Sequence, residues 1–247
     1  MNPSEELLLI SAGYLVARPV ERSPHMDASL VPARLRTASG CLAPIAPGTW
    51  AIDWARCDEA ERVSAATRFG LPPSRLAELI NWVTHRFDQD FLWPNVFLTL
   101  EGSREFCATF VPADSDAFIL GLALSREDVD GLPWRTEPDP AVGEVGLRRI
   151  LSQGFPPAEG GVRLGSDVLG AELDGTLHSY LCNGLEHAFS RELGAWPNEH
   201  GLFDDHALAR RCAVYAGRDD VGAEPIPWRA WVLTEYPRQP PQAAPAR

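Results

Sequence analysis

The sequence predicts an α+β fold: one domain in which an antiparallel β meander packs against several amphipathic helices. Three observations point there. Leu76, Leu79, Ile80, Val83 and Phe87 recur at the spacing of one helix face. Between residues 95 and 125 come Val-, Ile-, Phe- and Thr-rich segments separated by turn formers. No repeat and no linker interrupts residues 48–236, so one layered core is the economical reading.

Taken in order, residues 1–20 form an apolar first element, strand or helix, and residues 21–47 read as an irregular connection rich in Pro, Ala, Ser and Arg. Residues 49–54 (TWAIDW) alternate as a short strand. Asp58 and Glu61 have the spacing of a capping box, and Gly70 is placed to end the helix it opens. Pro72 and Pro73 punctuate the start of the amphipathic helix that follows. The meander is expected over Asn95–Leu100, Glu105–Val111 and Ala117–Ser125, with EGSR and PADSD as its turns.

A Pro- and acid-rich loop covers 126–143, and Glu144–Gln153 reads as a helix ended by Gly154. A strand follows over 162–173. Helices are expected over 177–193 and 205–216, the second capped by Asp204 or Asp205. Residues 230–236 form a last strand. The domain is expected to span 1–236, leaving 237–247 as a disordered Pro/Ala-rich tail.

Charge narrows the function. The net charge is −12, which argues against nucleic-acid and anionic-membrane partners, because both demand a basic surface. An acidic surface suits a basic protein partner instead. All 22 basic residues are arginine; a GC-rich bacterial genome is the plainer reading and selection against lysine modification the sharper one, and lysine Schiff-base or general-base chemistry is excluded either way. The N-terminal apolar run follows acidic residues and lacks a small-x-small cleavage site, and no apolar stretch approaches membrane-spanning length. A cytoplasmic protein is expected. Its five cysteines, Cys41, Cys57, Cys107, Cys182 and Cys212, include no C-x-x-C pair and read as reduced core thiols.

Phosphate-loop, dinucleotide, esterase-elbow and zinc-protease motifs are all missing. Glu127, Asp128 and Asp130 cluster, but off the spacing of a calcium loop, and read as a solvated acidic turn. Potential chemistry concentrates in residues 177–206, which hold four of the six histidines. On a helix over 177–193, His178 and Cys182 fall inside the apolar arc with Glu186 on its edge, while His187 falls across the helix. A hydrogen-bonded core pair is the plainest reading of His178 and Cys182. Two sharper readings exist. Cys182 could act as a nucleophile with His178 as base and Glu186 orienting it, in a hydrolase or transferase. Alternatively, His178, Cys182, His200 and His206, with Asp205 near, could hold a zinc ion. Asn198, Glu199 and His200 lie in a loop, where function concentrates.

The leading expectation is a binding protein: an acidic, Trp- and Arg-bearing surface that holds another protein, as an immunity-type inhibitor of a toxin or enzyme does. The eight tryptophans, several beside proline, supply anchors for such an interface.

Overall fold

The computed structural model describes residues 8–46, 58–87, 89–132, 137 and 145–239. Its strands, in chain order, are β1 (Leu9–Ala17), β2 (Val20–Glu21), β3 (Arg34–Leu35), β4 (Ile45–Ala46), β5 (Phe91–Leu92), β6 (Val96–Phe97), β7 (Phe118–Ser125), β8 (Val162–Ala171), β9 (Leu177–Ser179) and β10 (Trp228–Tyr236). Its α-helices are α1 (Glu59–Phe69), α2 (Leu76–Arg86), α3 (Leu100–Phe110), the single turn α4 (Arg126–Val129), α5 (Gly146–Gln153), α6 (Glu186–Leu193) and α7 (His206–Ala216).

One antiparallel sheet organises the fold, in the order β5-β6-β1-β7-β10-β8-β9, with β4 also pairing β1. The four long strands β1, β7, β10 and β8 are central. Most of their residues are buried on both faces, and β1 and β7 accordingly read as apolar runs. On one face, Leu15, Leu122, Leu169, Trp231 and Leu233 meet Leu147, Ile150 and Leu151 of α5. On the other, the β1 end packs Tyr14, Val16 and Ile119 against Leu79, Val83, Phe106 and Phe110 of α2 and α3. The β8 end packs Val168 and Ala230 against Phe189, Ala209 and Cys212 of α6 and α7. Each such aliphatic or aromatic side chain contributes about 2 kcal/mol by leaving water.

The caps form as expected. Asp58 and Glu61 make the reciprocal capping box of α1, Gly70 ends it in the left-handed region, and Asp205 caps α7. A β-bulge between Ser11 and Gly13 sharpens the twist of β1. Gly13 sits there at φ +96, and a Cβ would come 2.7 Å from the Phe97 carbonyl oxygen.

Two expected elements differ. Glu105–Val111 is not a strand; Leu100–Phe110 is a helix, capped by the Thr99 hydroxyl. Leu100, Ser103, Phe106, Cys107 and Phe110 are all buried; that is helical spacing, which outweighs the β-rich composition around it. Residues 177–193 are not one helix. Leu177–Ser179 pairs with β8, the turn Tyr180–Asn183 is 3-10, and left-handed Gly184 breaks the chain before α6. The connection 21–47 carries β3 and β4 within otherwise irregular chain. The expected strand at 49–54 and residues 240–247 of the tail lie outside the described residues.

Candidate functional site

The break at Gly184 changes the surroundings of every residue in the histidine-rich window. His178 sits on β9, where its Nε2 lies 2.7 Å from Glu172 Oε1 and its Nδ1 3.2 Å from Glu224 Oε2. The imidazole therefore clips the β8–β9 turn to the segment that enters β10. It does not stack on Cys182 along a helix. Cys41 comes between them: its Sγ lies 3.6 Å from His178 Nδ1, and it hydrogen-bonds Cys182. Cys182 in turn contacts Ser39 Oγ at 3.3 Å.

Cys41 and Cys182 are exposed residues, so only Cys107 and Cys212 are core cysteines as expected; Cys57 lies outside the described residues. Burial of the sulfur is the main influence on both exposed thiols and raises their pKa; for Cys41, Glu224 adds to the effect. They are protonated thiols at neutral pH, the reverse of the low-pKa thiolate that nucleophilic cysteines use.

The other candidates disperse. Glu186 opens α6, buried, with Oε2 unpaired among the described residues. His200 Nε2 faces Glu199 at 3.7 Å, and the His200 carbonyl accepts from the Arg36 amide. His206 Nδ1 pairs with Ser166 Oγ at 3.0 Å, and burial, with Arg163 nearby, lowers its pKa. Among the described residues no three His, Cys, Asp or Glu side chains converge in metal-holding geometry. The His178, Cys182, His200 and His206 set is thus not gathered. In the acidic turn, Arg210 reaches Glu127 at 3.0 Å and Asp128 at 3.7 Å, so these two of its carboxylates are ion-paired.

Beneath the exposed cysteines lies a buried carboxylate that sequence reasoning did not single out. Asp167 on β8 is 1% exposed and accepts from Thr37 Oγ1 at 2.8 Å and Ser179 Oγ at 3.2 Å. Burial pushes its pKa up to about 7, against the opposing pull of the two hydroxyls. Alternation along β8, Leu164, Ser166 and Val168 against Asp167, gave no hint, because both faces of the strand are buried.

The loop between α6 and α7 is built differently. Gly194 ends α6 at φ +61, Ala195 turns inward, and Trp196 is left 59% exposed. Asn198 holds the loop shut. Its Nδ2 donates to the Leu164 carbonyl and to Asp204 Oδ1, and its Oδ1 accepts from the His200 and Leu202 amides, all within 2.7–3.1 Å. Glu192, Glu199, Asp204 and Asp205, all exposed, border the loop in sequence. The result is a rigid, aromatic, acid-flanked projection.

A cavity of about 250 Å³ lies elsewhere, beside the Trp93–Pro94–Asn95 turn that joins β5 to β6. No helix among the described residues is long and apolar enough to cross a membrane. The chain matches no family model, no curated protein and no solved structure.

Proposed function

We propose that the chain is a protein-binding protein that captures a basic partner on the Trp196 loop, in the manner of an immunity-type inhibitor that covers a toxin or enzyme. The observation that carries this reading is the combination at Trp196: a large exposed aromatic on a loop fixed by four Asn198 side-chain hydrogen bonds. A large aromatic already held in place loses little entropy on binding, which is what interface hot spots require. The acidic flank and the net charge of −12 add steering toward a positively charged surface. Nearby exposed carboxylates exclude an acidic partner by the same argument.

The test is native mass spectrometry of the protein purified at low salt from the cell that makes it, beside the Trp196→Ala variant. The expected result is a basic protein at fixed stoichiometry, released by added salt. Trp196→Ala should weaken it by about 30-fold, the equivalent of a 2 kcal/mol hot spot. A complex that survives Trp196→Ala unchanged, or no complex at low salt, defeats the reading.

A further inference from the structure

The geometry points to a binding site for a small neutral organic molecule in the cavity beside the Trp93–Pro94–Asn95 turn. The cavity's 250 Å³ is about eight times one water's share of liquid volume, room for an organic molecule of about ten non-hydrogen atoms. Its apolar wall is supplied by Leu15 of β1, Leu122 of β7, Leu177 of β9 and Leu147 of α5, with Ile45 and Val96 beside them. These come from separate elements of one rigid sheet and the helix upon it, so the space is held open by the fold.

Charge selects the occupant. None of the described residues lining the cavity carries a charged side chain. A carboxylate or ammonium group would enter without a counter-charge and lose its hydration, a cost of several kcal/mol. The occupant is therefore neutral.

Polarity refines it. Trp93 Nε1 and Asn95 Oδ1 belong to lining residues, are buried, and find no partner among the described residues. Each unpaired buried group costs about 1–3 kcal/mol. Asn95 also sits at φ +71, the only positive φ among the described non-glycine residues; such conformations recur where a ligand is clamped. With both side chains turned into the cavity, one hydroxyl or primary amide accepts from the indole N–H and donates to the amide oxygen, offsetting both costs. The ligand class is a compact apolar body carrying one such group.

The experiment is calorimetric titration of the full chain with benzyl alcohol, toluene and benzoate. Saturable binding of benzyl alcohol is expected, with toluene weaker and benzoate absent. The variant Asn95→Gly keeps the left-handed backbone and removes the amide; it should weaken benzyl alcohol by about tenfold and leave toluene unchanged. Trp196→Ala should bind all three as the wild type does, which separates this site from the partner-binding surface. The proposal is overturned if benzyl alcohol gives no saturable heat up to its solubility limit. Benzoate binding as well as benzyl alcohol, or Asn95→Gly binding both neutral probes as the wild type does, overturns it too.

Discussion

The Thr37 hydroxyl donates to Asp167 Oδ2 over 2.8 Å, joining an irregular segment to the middle of a sheet strand 130 residues away. With Ser179 on the other carboxylate oxygen, two neutral donors are the only side-chain partners seen for a fully buried acid among the described residues. Among the described residues no cation sits against it to hold the proton off.

A pH dependence follows from Asp167. Its folded pKa of about 7 lies above the ordinary value of 3.8, so the folded state binds more protons than the unfolded state between those values. The contribution of Asp167 to stability is therefore full below pH 4, is lost as pH rises toward 7, and is level above it. Three pH units correspond to a loss on the order of 4 kcal/mol. Asp167→Asn should abolish the slope and be the more stable protein at pH 8, because one hydroxyl goes on donating to the amide oxygen while the other turns to accept from the amide N–H. Urea unfolding at pH 5 and pH 8 measures this; a wild-type stability that does not fall across that interval contradicts it.

Asn198→Ala removes four side-chain hydrogen bonds at once. A loss of about 2–4 kcal/mol is expected, since backbone groups are left partly unsatisfied. Hydrogen exchange should quicken at the His200 and Leu202 amides first. Unchanged protection at those two amides would show that the backbone alone holds the loop.

Thiol labelling should sort the cysteines by place. Cys41 and Cys182 are exposed with raised pKa, so in the native protein they react slowly at pH 7 and faster as pH passes 9. Cys107 and Cys212 are buried, with pKa pushed up to about 12, and should react only after denaturation. Peptide mapping assigns each site. Rapid native labelling of Cys182 at neutral pH would restore the case for thiol chemistry.

Gly13→Ala should destabilise by more than about 3 kcal/mol. Its Cβ would meet the Phe97 carbonyl oxygen at 2.7 Å and the Val96 Cγ1 at 2.6 Å, at a φ of +96 that alanine avoids. Thermal unfolding measures it. A shift within that of an ordinary surface substitution would mean the bulge relaxes.

Much of the fold was legible because its signals are local. The capping box at Asp58, the apolar face at Leu79, Ile80 and Val83, and the left-handed stop at Gly154 each lie within a few residues of what they control. The misread segments depend on distant partners. Leu177–Ser179 is a strand because β8 offers Leu169–Ala171 to pair with, and a helical wheel drawn over 177–193 has no access to that. The site suffered more. His178 and Cys182 could be picked out by residue type, but Cys41 and Ser39 stand 137 and 143 residues from them, and only topology brings them together. In the sequence Trp93–Pro94–Asn95 reads only as the approach to a strand beginning at Asn95, and nothing in it announces a cavity.

The ends of the sheet are short. Phe91–Leu92 closes one side and Leu177–Ser179 the other, two and three residues long, while every long strand runs inside. Among the described residues the outermost strands thus offer a neighbouring molecule only short rows of amides and carbonyls to pair with. Edge-to-edge aggregation has little to grow from, and like-charged copies carrying −12 each repel one another as well. Short sheet edges and like charge both oppose self-association, even with Trp196 left 59% exposed.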